Sequence, residues 1–271
     1  MGEGNQTLLA GKRVVVTRAM AQAVELLKAL QYAGAIPILL PVIRILPPED
    51  FSQLDATLKN LSNFDWILFT SQNAVRIVQE RLEVLESESR RGISGLLAGA
   101  VGETTALEAA NAGFNVAHTA SKPLGTALVE ELGSRLYGKK ILLPRSDRAN
   151  PDVTVALGKF GAKTVEIIAY RTVSESAADG DAVLKAMGAD AVLFFSPSAV
   201  EGFESVCGVG KLAEFAARGI VLASGPVTLS ALQAAGITTA VAAKEPSVAR
   251  IIEALANSFA MRDQRVSDKA N

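Results

Sequence analysis

Four short stretches of this 271-residue chain place hydroxyl side chains where an apolar run gives way to a helical pattern. They are Thr70-Ser71-Gln72-Asn73, Gly102-Glu103-Thr104-Thr105, Ser196-Pro197-Ser198 and Ser224-Gly225-Pro226-Val227-Thr228. Ser and Thr at such turns accept from the first N–H groups of the helix, and the remaining N–H groups suit an anion. Arg18, Arg145 and Arg148 follow strand-like runs and could pair with carboxylates. The chemistry these residues suggest is the holding of anionic groups. Each also has a plainer reading, as an ordinary helix cap or a solvated arginine.

The residue types of other chemistries are scarce. One histidine, His118, excludes every multi-histidine metal site and leaves little room for a Ser-His-Asp triad. One cysteine, Cys207, cannot form an internal disulfide and has no activating neighbour in sequence, which fits a structural thiol in a reducing compartment. Gly99 and Gly102 form neither a GxGxxG fingerprint nor a Walker loop. Lys122 and Lys244 read as surface charge, and Phe194-Phe195 as core.

Behind the turns lie the elements that must position them. Val14–Thr17, Trp66–Thr70, Leu96–Val101, Ile141–Leu143, Ala191–Phe195 and Ile220–Ala223 are apolar runs of strand length. Stretches of helical period follow, such as Ala23–Ala33, Thr104–Ala112 and Thr228–Ala235. Continuous rather than alternating apolar strands suit parallel sheets covered on both faces, and alternation of strand with helix suits a doubly wound α/β architecture.

The chain also repeats itself. Gly11 and Gly138, Arg18 and Arg145, Gly34 and Gly161, and Arg44 and Arg171 are each 127 positions apart. Asp65, Ser71 and Ala74 recur 125 positions later as Asp190, Ser196 and Ala199, while Gly102 and Gly113 recur 123 later as Gly225 and Gly236. The pattern is a duplicated α/β unit. Tyr170 stands where the first copy has Ile43, so an apolar position has become a phenol, able to donate a proton or merely to pack. Periodicity allows two divisions: tandem domains meeting near Tyr137, or a domain of 45–168 inserted into one of 1–42 and 172–271.

Hydrophobic residues make up 49% of the chain and charged residues 20%, enough apolar content for a large core. The formal net charge of −1 excludes a generally basic nucleic-acid binder. The most apolar run, Ile36–Ile43, is broken by Pro37 and Pro41 and is far too short to span a bilayer. The first residues, Met1–Gly11, show no secretory pattern, so a cytoplasmic protein is expected.

These motifs in this order resemble the uroporphyrinogen-III synthase family over about Gly11 to Ala256. The resemblance is carried by Val16-Thr17-Arg18, Ile67-Leu68-Phe69-Thr70-Ser71, Val101-Gly102-Glu103-Thr104-Thr105, Ile168-Ala169-Tyr170-Arg171-Thr172-Val173, Phe194-Phe195-Ser196-Pro197-Ser198 and Ala223-Ser224-Gly225-Pro226-Val227-Thr228. It implies two similar doubly wound α/β domains joined by a two-stranded connector, hence the inserted division, with substrate in the cleft between them. It implies a cyclising hydro-lyase of porphyrin biosynthesis that closes hydroxymethylbilane with loss of water and inversion of the last ring. No metal or organic cofactor is implied, and the partner is the small-molecule substrate, with no nucleic acid, no membrane and a monomeric protein. The site it implies has Tyr170 as the catalytic residue, with Ser71, Thr105, Ser196, Ser198 and Thr228 at the substrate; Arg18 and Arg145, read from their places after strand-like runs, are expected to bind substrate as well. Val227 stands where many members have a first threonine, and Glu103 must point away from a polyanion.

Loss of hydroxide from a pyrrolic hydroxymethyl group is assisted by the ring's own electron pair and leaves an electrophilic azafulvene. A protein directing its closure has mainly to hold eight carboxylates and orient the rings, which needs preorganised donors rather than a strong nucleophile. Two other readings fit the same residues: a non-catalytic two-domain protein binding an anionic metabolite, and a regulatory protein that has kept the fold alone.

Overall fold

The computed structural model describes residues 8–85, 93, 95–175 and 180–270. Packing divides the chain into two compact units, one of Met1–Arg44 with Val173–Asn271 and the other of Ile45–Thr172.

The first unit holds a five-stranded sheet built from β1 (Arg13–Val16), β2 (Ile36–Leu39), β9 (Ala191–Phe194), β10 (Ile220–Ala223) and β11 (Val241–Ala242). Their order across the sheet is β11-β10-β9-β1-β2, and every pairing is parallel. The apolar strands are continuous because both faces are covered. Val14, Val16, Leu193 and Leu222 enter one buried cluster, while their neighbours Val15, Val192, Phe194 and Val221 enter the cluster on the opposite face.

The second sheet has six strands: β3 (Ile43–Leu46), β4 (Trp66–Phe69), β5 (Leu97–Val101), β6 (Asn115–Ala120), β7 (Lys140–Ser146) and β8 (Lys163–Ser174). They lie in the order β3-β8-β7-β4-β5-β6. Ile67, Phe69 and Leu142 face one cluster, and Trp66, Leu68, Ile141 and Leu143 the other. Each buried Leu, Ile, Val or Phe of this kind stabilises the fold by about 1.5–3 kcal/mol. Both unit boundaries fall within strands, the first in β3 and the second in the last residues of β8.

Strand β7 runs on past Leu143, where the apolar run ends, through Pro144 and Arg145 to Ser146. Proline removes a ladder donor. The registered pairs with β4 end at Leu142, whereas those with β8 continue to Ser146 opposite Tyr170, so the strand is carried onward by one neighbour alone.

The repeat is written into the hydrogen bonds. Asp65 accepts from the backbone N–H of Lys140 at 2.8 Å, and Asp190 accepts from that of Arg13 at 2.7 Å. The two bonds are equivalent by the offsets, and each joins the second block of one copy to the first strand of the other. Each unit is therefore assembled from parts of both copies. Gly202, in the helix Pro197–Cys207, is required by a close approach: a Cβ there would collide with the Val42 carbonyl oxygen.

Among the described residues, no helix is long and apolar enough to cross a membrane.

Candidate active site

The carboxyl ends of β4 and β8 bring Ser71 and Tyr170 together in the second unit. Ser71 has extended backbone angles and caps the helix Gln72–Val84, its Oγ accepting from the N–H of Ala74 at 3.2 Å. That oxygen lies 3.0 Å from the phenolic oxygen of Tyr170. The Asn73 side chain lies near the phenol and favours its ionised form, and its own Oδ1 accepts from the Arg76 guanidinium at 3.2 Å. Tyr170 is only 8% exposed, its ring packed in the core cluster of this unit. Burial pushes the phenol above its ordinary pKa, against the lowering effect of Ser71 and Asn73, while the nearby Asp147 charge pushes it up as well.

Asp147 fixes the strand that carries the phenol. Its N–H donates to the Tyr170 carbonyl at 3.1 Å, and its Oδ1 accepts from the Thr172 N–H at 2.9 Å and the Ser146 hydroxyl at 3.0 Å. The Thr172 and Ser146 hydroxyls are themselves 3.0 Å apart.

The two arginines paired by the repeat have different surroundings. Arg145 is buried and donates to Glu166 at 2.7 Å, to the Thr154 hydroxyl at 3.0 Å and to the Asn150 carbonyl. Its guanidinium thus braces the loop that follows β7. Arg18, after β1, has its guanidinium carbon 4.7 Å from the centroid of the Phe195 ring. Burial holds its pKa below the usual arginine value, and among the described residues it has neither an ion pair nor a hydrogen bond.

Thr105 and Thr228 occupy equivalent places, in the first turns of the helices Glu103–Asn111 and Pro226–Ala234. Both are buried, at 5% and 4% exposure, and neither hydroxyl has a hydrogen-bond partner among the described residues. Gly102, at φ +79°, allows the tight entry to the first of these helices. Glu103 and Val227 are exposed. Ser196 caps the helix Pro197–Cys207 by accepting from the Ala199 N–H at 3.2 Å, and its Oγ is 3.1 Å from that of Ser198.

The structure thus groups Ser71 with Tyr170 in one unit, and Ser196 with Ser198 in the other, where Arg18 lies against Phe195. Asn73, Asp147 and the stacking role of Phe195 were not singled out from sequence. For Asn73 a signal existed: it stands 125 positions before Ser198 and so shares its place in the repeat.

Other groups stay apart from this set. A depression of about 220 Å³ beside β8 is lined by Glu49, Asp50, Asp147, Ile168 and Arg171, a carboxylate-rich wall ill suited to an anion. His118, on the edge strand β6, bonds Glu131 at 2.8 Å. Burial pushes the Cys207 thiol up to about 11. Among the described residues no group of three or more His, Cys, Asp or Glu could hold a metal ion.

A family model described as Uroporphyrinogen-III synthase HemD matches residues 24–253. A uroporphyrinogen-III synthase of Synechococcus elongatus is 30% identical over 226 residues, covering 81% of this chain and 85% of that protein. One of Chlorobaculum parvum is 25% identical over 230 residues, covering 83% and 90%. In fold, the chain is similar to a crystal structure of a mutant uroporphyrinogen III synthase from the extremely thermophilic bacterium Thermus thermophilus, with a TM-score of 0.65 at 17% identity over 93% of this chain and 100% of that one. It is also similar to the Helicobacter pylori protein, with a TM-score of 0.62 at 18% identity over 92% and 99%.

Proposed function

The chain belongs to the uroporphyrinogen-III synthase family, and we propose that it cyclises hydroxymethylbilane to uroporphyrinogen III in tetrapyrrole biosynthesis, with Tyr170 as its proton donor. The family match over residues 24–253 carries the activity. The assignment of residues rests on the buried phenol at the carboxyl edge of its sheet, beside a helix N-terminus.

In the proposed mechanism the electron pair of the terminal pyrrole expels the hydroxymethyl oxygen, which takes a proton from the Tyr170 hydroxyl and leaves as water. The azafulvene so formed is attacked by the substituted carbon of its own ring at the far end, giving a spiro intermediate. Fragmentation and recombination invert that ring, and loss of a ring proton restores aromaticity and the phenol. The free chain of pyrroles closes at the nearer carbon, so selectivity requires that the substrate be held in shape.

Candidate donors for that holding occur in each unit. Arg18 is the best placed to receive a carboxylate, because its half-buried guanidinium has no counter-ion among the described residues. Thr105 and Thr228 offer hydroxyls with no internal partner among those residues, and the turns at Ser71, Ser196 and Ser198 offer first-turn N–H groups. Arg145, already engaged by Glu166, enters the proposal as a charge near the phenol rather than as a primary ligand. The proposed setting is the cytoplasm, with a monomer acting without nucleic acid, a reading supported by the near-neutral charge and single thiol.

The deciding experiment is incubation with freshly generated hydroxymethylbilane and separation of the isomers. Predominantly type III product is expected. Only the type I product of uncatalysed closure would overturn the enzyme reading and favour a binding protein.

A further inference from the structure

The Ser71 Oγ and the Tyr170 oxygen are 3.0 Å apart, a bond in which either hydroxyl can donate. The Ser71 Oγ already accepts the Ala74 N–H at the positive end of a thirteen-residue helix, and a hydroxyl polarised in this way is the better donor. The Asn73 amide is restricted in the same sense, because its Oδ1 accepts from Arg76 and a bond from it to the phenol would come from the NH₂. A phenol has one proton. When Ser71 donates to its oxygen, that proton is not spent on Ser71, and an amide whose oxygen is engaged by Arg76 has only a donor to offer.

The other unit supplies the contrast. By the repeat offsets, Ser196 corresponds to Ser71, Ser198 to Asn73 and Ile43 to Tyr170. Where the phenol is replaced by an apolar side chain, the two serines turn to each other at 3.1 Å. Among the described residues, the capping serine thus meets a phenol in one unit and a second serine in the other.

We propose that Ser71 and Asn73 are positioning residues that together donate to the Tyr170 oxygen and leave its proton free for the departing hydroxyl of the substrate. The inference rests on the proposed role of Tyr170 as donor. It adds that Ser71 acts through the phenol and not on the substrate, and it gives Asn73 a function.

The test uses the full-length protein with Ser71→Ala, Ser71→Thr and Asn73→Asp, each also made in the Tyr170→Phe background. Because Tyr32 and Tyr137 are exposed, the titration of Tyr170 is read without substrate, as the difference in phenolate absorbance between each variant and its Tyr170→Phe partner. Ser71→Ala removes a donor to the phenolate, and Asn73→Asp replaces another by a charge, so both should move the Tyr170 midpoint to higher pH. Type III turnover should fall about tenfold in each with KM within about twofold, and Ser71→Thr should restore it. In the Tyr170→Phe background the same changes should have little further effect on turnover, while the loss of the Ser71 cap is shared by both backgrounds and cancels. An unmoved midpoint, an equal loss in both backgrounds, or no rescue by threonine would each overturn the proposal. Wild-type protein that yields only type I product would instead remove the underlying reading of Tyr170, a result distinct from any of these.

Discussion

The guanidinium of Arg18 lies over the ring of Phe195 at the carboxyl ends of two adjacent parallel strands, β1 and β9, with 4.7 Å between guanidinium carbon and ring centroid. The ring covers one face of the charge, and no carboxylate among the described residues neutralises it. Its repeat partner Arg145 is held by Glu166, Thr154 and Asn150. The same ancestral position has become a brace in one unit and an open cation in the other.

Replacing the two arginines should therefore have opposite consequences. Arg18→Gln should raise KM for hydroxymethylbilane by about tenfold, the equivalent of about 1.4 kcal/mol, with the melting temperature unchanged or slightly higher because a desolvated charge is removed. Arg145→Gln should lower stability by about 1–3 kcal/mol, as expected for hydrogen bonds to charged groups. Thermal unfolding and steady-state kinetics on both variants check this. A loss of stability in the first with none in the second would reverse the assignment.

Tyr170→Phe keeps the buried ring and deletes the hydroxyl. Stability should change by no more than about 0.5–1.5 kcal/mol, since Ser71 retains its bond from Ala74. Type III formation should fall by ~10²–10⁴, the usual contribution of a positioned acid. Full activity in a folded variant would reduce Tyr170 to packing.

The segment 45–172 contains two complete core clusters, one on each face of its sheet, and is continuous in sequence. Expressed alone, it should unfold in a single cooperative transition on heating, with circular dichroism and tryptophan fluorescence of Trp66 coinciding. A fragment of 1–137 that folds while 45–172 does not would support the tandem division instead.

Much of this architecture is legible in the amino-acid order because parallel strands buried on both faces leave unbroken apolar runs such as Trp66–Phe69 and Ala191–Phe194. The hydroxyl turns are legible for a related reason: Ser71 and Ser196 are helix caps, and capping is local chemistry. The direction of a side chain at such a turn is not. Nothing in the neighbourhood of Arg145 in sequence announces Glu166, twenty-one positions away on the next strand, and nothing beside Arg18 announces Phe195. Proline at 144 marks a break in the pattern, yet β7 continues through it because pairing with β8 needs no bond from that residue to β4. Long-range pairing decides these cases, and composition does not record it.

The helix Pro197–Cys207 ends in the only thiol of the chain, and burial beside Glu204 holds that thiol at a pKa of about 11. At neutral pH that thiol stays protonated. An azafulvene is an alkylating agent, and a catalyst that generates one at every turnover risks being consumed by its own intermediate. A chain whose single thiol stays protonated offers that electrophile no cysteine thiolate to alkylate. Resistance to alkylation at cysteine is thus served by a lone thiol that is partly buried and kept protonated.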